Sequence, residues 1–181
     1  MTITIYSVGH SNRSIEQLLA LFHAANVRLL VDVRSQPTSQ RQPQFERESL
    51  RTHLEEAGLQ YHWAGRSLGG LRSPRADSPH IALAEEGLRG YADHMDTDFF
   101  QKGVAQLINL ASQSTTAILC AERLPEQCHR QLLADYLLLQ GVAVVHLIEP
   151  GEQREHHLSA QVRRESARLV YDRMVSGSLD I

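Results

Sequence analysis

The run Thr116-Ala-Ile-Leu-Cys120, the loop Ala-Glu-Arg-Leu-Pro125-Glu-Gln and the segment Cys128-His-Arg130-Gln-Leu-Leu-Ala-Asp-Tyr136-Leu decide how this chain folds. A short apolar run that ends in a polar loop reads as a buried strand. Beyond the loop, Leu132, Leu133, Tyr136 and Leu137 recur at three and four residues, the spacing of one helix face. Pro125 suits a first helical position, which places Cys128 in the first turn of the expected helix.

The same alternation extends in both directions. Ile3–Val8 is a strand that ends at Gly9-His10-Ser11-Asn12-Arg13. Ser14 and Gln17 then form a capping-box pattern ahead of a helix with Ile15, Leu18, Leu19, Phe22 and Ala25 on one face. Val27–Val33 is a second strand, closed by Asp32-Val-Arg34-Ser35. A helix bearing Leu50, His53, Leu54 and Ala57 stops at Gly58, and Leu59–Trp63 is a third strand. From Gly65 to Pro79 the chain reads as loop. A weak helical patch spans Leu83–Met95, and a clear one carries Phe100, Val104, Leu107, Ile108 and Ala111. Val142–Ile148 is the last strand. Leu158, Val162, Leu169, Val170 and Met174 suggest a final, more polar helix. The expected division is an α/β domain over residues 1–150 and a C-terminal helical extension over 151–181.

Strands alternating with helices imply a mainly parallel sheet, here of about five strands, in a single three-layer α/β domain with helices on both faces. Ligands of such sheets bind beyond the carboxyl ends of the strands. The polar clusters His10–Arg13, Asp32–Ser39 and Cys120–Arg130 all follow strands, so all three are expected at one edge as a composite site.

With 42% hydrophobic residues in 181, the chain can build a core. A net charge of −3 gives no overall field to attract nucleic acid, so such a partner would need a local basic face, for example Arg41, Arg47, Arg72 and Arg75. No apolar run reaches the ~20 residues of a membrane span, and the first residues read as a strand, not a signal peptide. Two cysteines without export features fit free thiols in a cytoplasmic protein. The ten histidines mostly lie singly on polar stretches, and His156-His157 reads as solvent-exposed.

These pieces together resemble the domain of unknown function 488 (DUF488) family. The matching residues are Gly9-His-Ser-Asn12, Asp32-Val-Arg-Ser35 with Pro37 and Ser39, Leu68-Gly-Gly70, Gly90-Tyr-Ala92, Cys120-Ala-Glu122, Cys128-His-Arg130 and Val145-His146, with His156 or His157 downstream. Gln36-Pro37-Thr38 departs from the family pattern. The resemblance implies an α/β domain and the location of its site, and brings no reaction with it.

Read from the residues, the leading expectation is an enzyme or sensor that binds a phosphate-bearing or nucleotide-like small molecule. Arg34 and Arg130 would hold the anion, since arginine pairs bidentately with phosphate. Ser11, Asn12, Asp32, Ser35, Ser39, Gly69 and Gly70 would complete the cradle, a buried Asp32–Arg34 pair being the competing account of those two. His10 or His129 would move a proton, Glu122 would orient a histidine, and Cys120 or Cys128 would be the nucleophile; the competing accounts are a buried strand cysteine for Cys120, inward helix stripes for Cys128 and His129, and a loop cap for Glu122. The second reading is thiol chemistry, sulfur transfer or redox, with Cys128 activated at a helix start near Arg123 or Arg130. The chain is similar to rhodaneses in placing a cysteine between strand and helix, but its interval from Cys120 to the helix is longer than their tight loop. The third reading is a non-catalytic binding module. The spacing of Cys120 and Cys128 is too wide for a zinc pair, so no metal is expected, although a composite of both with His129 and His10 is geometrically conceivable. No nucleotide-loop motif names a cofactor, and the oligomeric state stays open.

Overall fold

The computed structural model describes residues 1–174. Strands β1 (Thr4–Gly9), β2 (Leu29–Asp32), β3 (Gln60–Trp63), β4 (Thr116–Cys120), β5 (Ala143–Glu149) and β6 (Glu152–Glu155) form one sheet in the order β3-β2-β4-β1-β5-β6. The first five run parallel, and β6 pairs antiparallel with β5 at the edge. Helices α1 (Ile15–Ala24), α2 (Arg47–Glu56), α3 (Gly65–Leu68), α4 (Glu86–His94), α5 (Asp98–Gln113) and α6 (Arg130–Leu139) cover its two faces. The fold is the expected three-layer α/β domain, with a sixth, antiparallel strand added.

Local chemistry starts these helices where the sequence suggests. The Ser14 side chain accepts from Gln17 N–H at 3.1 Å while Ser14 N–H donates to the Gln17 side chain, which satisfies two otherwise orphaned groups. Thr97 caps α5 in the simpler way, its hydroxyl accepting from Phe100 N–H.

The central strands are buried on both sides, and their alternation splits the core in two. Leu30, Ala117, Leu119 and Val8 pack with Leu18, Phe22, Leu50 and Leu54 of α1 and α2. Leu29, Val31, Ile118 and Cys120 pack with Leu68, Tyr91, Phe100, Val104 and Leu133 from α3 to α6. The loops after β1 and β2 therefore lead to one face. The loop after β4, which lies between those strands, leads to the other. Neighbouring strands whose exits diverge leave a crevice at their carboxyl ends, where this architecture binds ligands.

The C-terminal region departs from expectation. No helix forms over the described part of 151–181; instead β7 (Arg163–Glu165) and β8 (Arg168–Val170) make a hairpin. Ser166 enters the left-handed region at the turn, φ 58°. Ala82 N–H donates to the Tyr171 carbonyl at 2.9 Å, and Arg173 N–H to that of Gln161 at 3.1 Å. Val162, Leu169 and Val170 are buried as expected, but tertiary contacts, not helical periodicity, bury them. Residues 175–181, also assigned to that extension, lie outside the described residues.

Two smaller differences bear on the site. The segment read as loop from Gly65 begins with the single turn α3. The loop Gln36–Glu46 contains a 3-10 turn, Pro43–Phe45, whose Phe45 is fully buried.

Candidate functional site

Parallel strands end together, and the three polar turns meet. His10 N–H donates to the Cys120 carbonyl at 2.9 Å, Ser11 N–H to that of Ala121 at 2.8 Å, and Val33 N–H to that of Leu119 at 3.0 Å. Gly9 lets the loop after β4 pass close to the end of β1, because a side chain there would collide with the Glu122 backbone. A pocket of about 450 Å³ opens at this edge. Of the sequence candidates, Arg34, Ser35, Gly70, Cys120, Glu122, Cys128 and His129 line it. Leu71, Glu85, Gly87 and Leu88 close its side. These last four carried no chemical signal in the sequence.

Cys120 and Cys128 are both buried and unpaired. Arg130 N–H reaches Cys128 Sγ at 3.5 Å. The two thiols are near enough for each to shift the ionisation of the other. Burial opposes ionisation of Cys120. The adjacent Cys128 thiol and the charge of Arg130 outweigh it and bring the Cys120 thiol down to about 7. Its neighbour moves the other way: the closeness of Cys120, then burial, push the Cys128 thiol well up. One negative charge is favoured on the pair and a second is not.

Cys128 does not lie within the helix as its sequence position suggested. A 3-10 turn at Pro125–Gln127 precedes it, Cys128 itself is extended at φ −146°, and α6 starts at Arg130. The break turns Cys128 into the pocket. It also brings His129 Nδ1 to 3.5 Å from Cys128 Sγ. His129 Nε2 lies 3.1 Å from the Val33 carbonyl, an acceptor, so Nε2 carries the proton and Nδ1 presents a lone pair to the thiol. Burial lowers the His129 pKa to about 4, with Arg130 and Arg72 adding to it.

The expected anion binders are placed differently. Arg34 donates from Nε and Nη2 to the two oxygens of the fully buried Asp32 carboxylate, at 2.9 and 2.7 Å. Its Nη1 donates to the Phe45 carbonyl at 2.8 Å and lies 3.4 Å from His10 Nε2. A guanidinium has five N–H groups, so almost nothing is left for a ligand; the competing account of Asp32 and Arg34 is the observed one. Arg130 is completely buried, donating to Ser7 Oγ at 2.9 Å and to the Glu122 and Arg123 carbonyls at 2.7 and 3.3 Å. It acts behind the cysteines, not in the pocket.

His10 is packed beneath the site. Its ring stacks on Phe45 at 4.4 Å, and its Nδ1 donates to the Ser11 carbonyl at 2.9 Å. Burial lowers its pKa to about 4, Arg34 assisting, so it stays neutral at physiological pH. Ser11 sits at a left-handed turn, φ 47°. Asn12 lies in a separate depression with Arg13, Arg123 and Glu149. The Ser39 hydroxyl accepts from Gln42 N–H at 3.0 Å, and Gly69 backs against Ser35. Among the described residues, no group of three His, Cys, Asp or Glu side chains converges to hold a metal ion. The composite centre of Cys120, Cys128, His129 and His10 is thus not assembled. No helix of the described residues is long and apolar enough to cross a membrane.

His156 corrects the sequence reading most. Expected in solvent, it is buried, bonded to His146 Nε2 at 2.9 Å and to Asp135 Oδ1 at 2.8 Å. The sequence marks His146 only through the family resemblance. Asp135 was hidden among the apolar residues of its helix.

Compared with known proteins, residues 14–137 match the family model described as Domain of unknown function DUF488. No curated protein and no solved structure matches the chain.

Proposed function

The chain belongs to the DUF488 family, and we propose that its pocket is a dithiol site acting on a small disulfide or related sulfur compound. The observation that carries this reading is that Cys120 and Cys128 share one pocket wall, with a lone-pair nitrogen of His129 at 3.5 Å from Cys128 Sγ.

Chemistry follows from the charge on the pair. Cys120, next to Arg130, holds the thiolate, and Cys128 keeps its proton. As Cys128 Sγ attacks one sulfur of a substrate disulfide, its proton passes to His129 Nδ1. The substrate S–S bond breaks, the departing thiolate takes that proton, and a mixed disulfide remains on Cys128. The Cys120 thiolate then attacks Cys128 Sγ and expels the second substrate thiolate. The pair ends as a disulfide, oxidised by the two electrons the substrate has gained, and an external dithiol reductant restores it. Thiol–disulfide exchange needs no further group.

Phosphate binding, the leading sequence expectation, draws less support. Arg34 is engaged by Asp32 and Phe45, Arg130 is buried, and Glu85 and Glu122 line the same pocket.

The test uses an aromatic disulfide that releases a coloured thiol. Wild-type protein should release two thiols per chain and lose two hydrogen atoms in intact mass. Cys120→Ser should release one and retain the aryl group on Cys128. Wild-type protein that keeps aryl groups on both cysteines, or releases no thiol while folded, refutes the dithiol reading. In the second case, a phosphate compound that raises the melting temperature would favour the anion site.

A further inference from the structure

Behind the cysteines runs an unbroken line of buried polar groups. Arg130 Nη1 donates to Ser7 Oγ at 2.9 Å. Ser7 Oγ lies 2.9 Å from His146 Nδ1, His146 Nε2 lies 2.9 Å from His156 Nδ1, and His156 Nε2 lies 2.8 Å from Asp135 Oδ1. Ser7, Arg130, His146 and Asp135 are at most 1% exposed, and His156 is 7% exposed. Asp135 is saturated by the Tyr171 hydroxyl at 2.8 Å and the Ser159 hydroxyl at 2.7 Å.

The line begins at a donor and ends at an acceptor. A guanidinium only donates, so Ser7 Oγ accepts from Arg130, and a carboxylate only accepts, so His156 donates from Nε2 to Asp135. Between them the Ser7 hydroxyl and the His146 ring each have a donor and an acceptor to offer. Burial, followed by His156 and Arg130, lowers the His146 pKa to about 3. Arginine does not release protons, so the chain conducts none to the cysteines. What it fixes is the place of the cation.

We propose that Ser7, His146, His156 and Asp135 are positioning residues for the dithiol, a buried hydrogen-bonded chain that holds the Arg130 guanidinium beside Cys120. The proposal rests on the dithiol reading and deepens it. Ser7 lies on β1, His146 on β5, His156 just after β6 and Asp135 on α6, so sheet, helix and C-terminal region all contribute. A buried polar chain is costly unless its members are satisfied; every link from Arg130 Nη1 to Asp135 is made, and Arg130 Nε is the one buried atom of the line that lacks a partner.

The experiment measures the rate of iodoacetamide alkylation against pH for the full chain and for Ser7→Ala. Wild type should show a first thiol ionising near 7. Ser7→Ala should raise it, so that a shift of one unit slows alkylation at pH 7 roughly fivefold. Ser7→Thr, which returns a hydroxyl, should restore the profile. A Ser7→Ala protein that melts earlier but keeps the wild-type profile overturns the positioning role and leaves the dithiol reading standing. Wild-type thiols that both ionise near 8.5 overturn the two together. Should Ser7→Ala not fold, Asp135→Asn decides by sign. Loss of a negative charge alone would lower the thiol pKa, whereas release of Arg130 raises it, and a fall overturns the proposal.

Discussion

His129 Nδ1 faces Cys128 Sγ at 3.5 Å, while the opposite nitrogen of the same ring is tied to the Val33 carbonyl at 3.1 Å. A backbone carbonyl on β2's exit therefore selects the tautomer that makes a base for a cysteine ahead of α6. The two ring contacts join segments nearly a hundred residues apart.

His129→Phe keeps a ring of similar size and removes both nitrogens. Closure of the Cys120–Cys128 disulfide by an aromatic disulfide at pH 7 should slow on the order of a hundredfold, the usual scale for a positioned base. Stopped-flow absorbance measures it, and an unchanged rate excludes His129 from proton transfer.

Gly70→Ala should be costly, because the added methyl would meet the His129 ring. A loss of about 1–3 kcal/mol is expected from such overpacking, together with slower disulfide closure. Gly87, near the start of α4, has open space around it; Gly87→Ala should add up to about 1 kcal/mol through helix propensity. Urea denaturation of the two variants makes the comparison, and equal effects would refute the contact argument.

Stability should fall with acid. His10 and His129 are lowered to about 4 and His146 to about 3, each mainly by burial, from an ordinary value of 6.5. Below pH 6.5 the unfolded chain takes up protons that the folded chain refuses. Stability is thus fully present above 6.5 and declines until the folded values are passed, at about 1.4 kcal/mol per pH unit for each histidine. Melting temperatures from pH 7.5 to 4 test this; a flat curve would mean these rings are already protonated in the fold.

Arg34→Ala should act on stability before it acts on any ligand. It leaves the Asp32 carboxylate buried with only the Tyr61 hydroxyl, at 2.6 Å, as a side-chain partner. Removing one member of a buried pair costs about 3–5 kcal/mol, and Arg34→Lys should recover only part because it cannot make the forked contact. A variant with wild-type unfolding free energy would show that Arg34 is free for other work.

Much of the frame was legible in the residues. Thr116–Cys120 was read to its ends, and the other four parallel strands to within two residues. Short apolar runs between amphipathic segments leave few alternatives to a covered parallel sheet. The Ser14–Gln17 cap was legible because it is a contact between near neighbours. The last helix was misread because Leu158, Val162, Leu169 and Val170 carry helical spacing by coincidence; contacts from Ala82 to Tyr171 and from Gln161 to Arg173 favour a hairpin. Arg34 and Arg130 were legible as important but not as buried, since an arginine after a strand looks the same whether it faces a ligand or Asp32.

What the residues determined alone was the set of strands and helices and the gathering of His10, Arg34 and Cys128 at one sheet edge, because parallel strands end on the same side. Tertiary structure alone decided which of those groups face the pocket and which support it. The partners of a buried charge come from elsewhere in the chain, as Ser7, His146, His156 and Asp135 do for Arg130. Periodicity reports which side of an element is covered, but not what covers it.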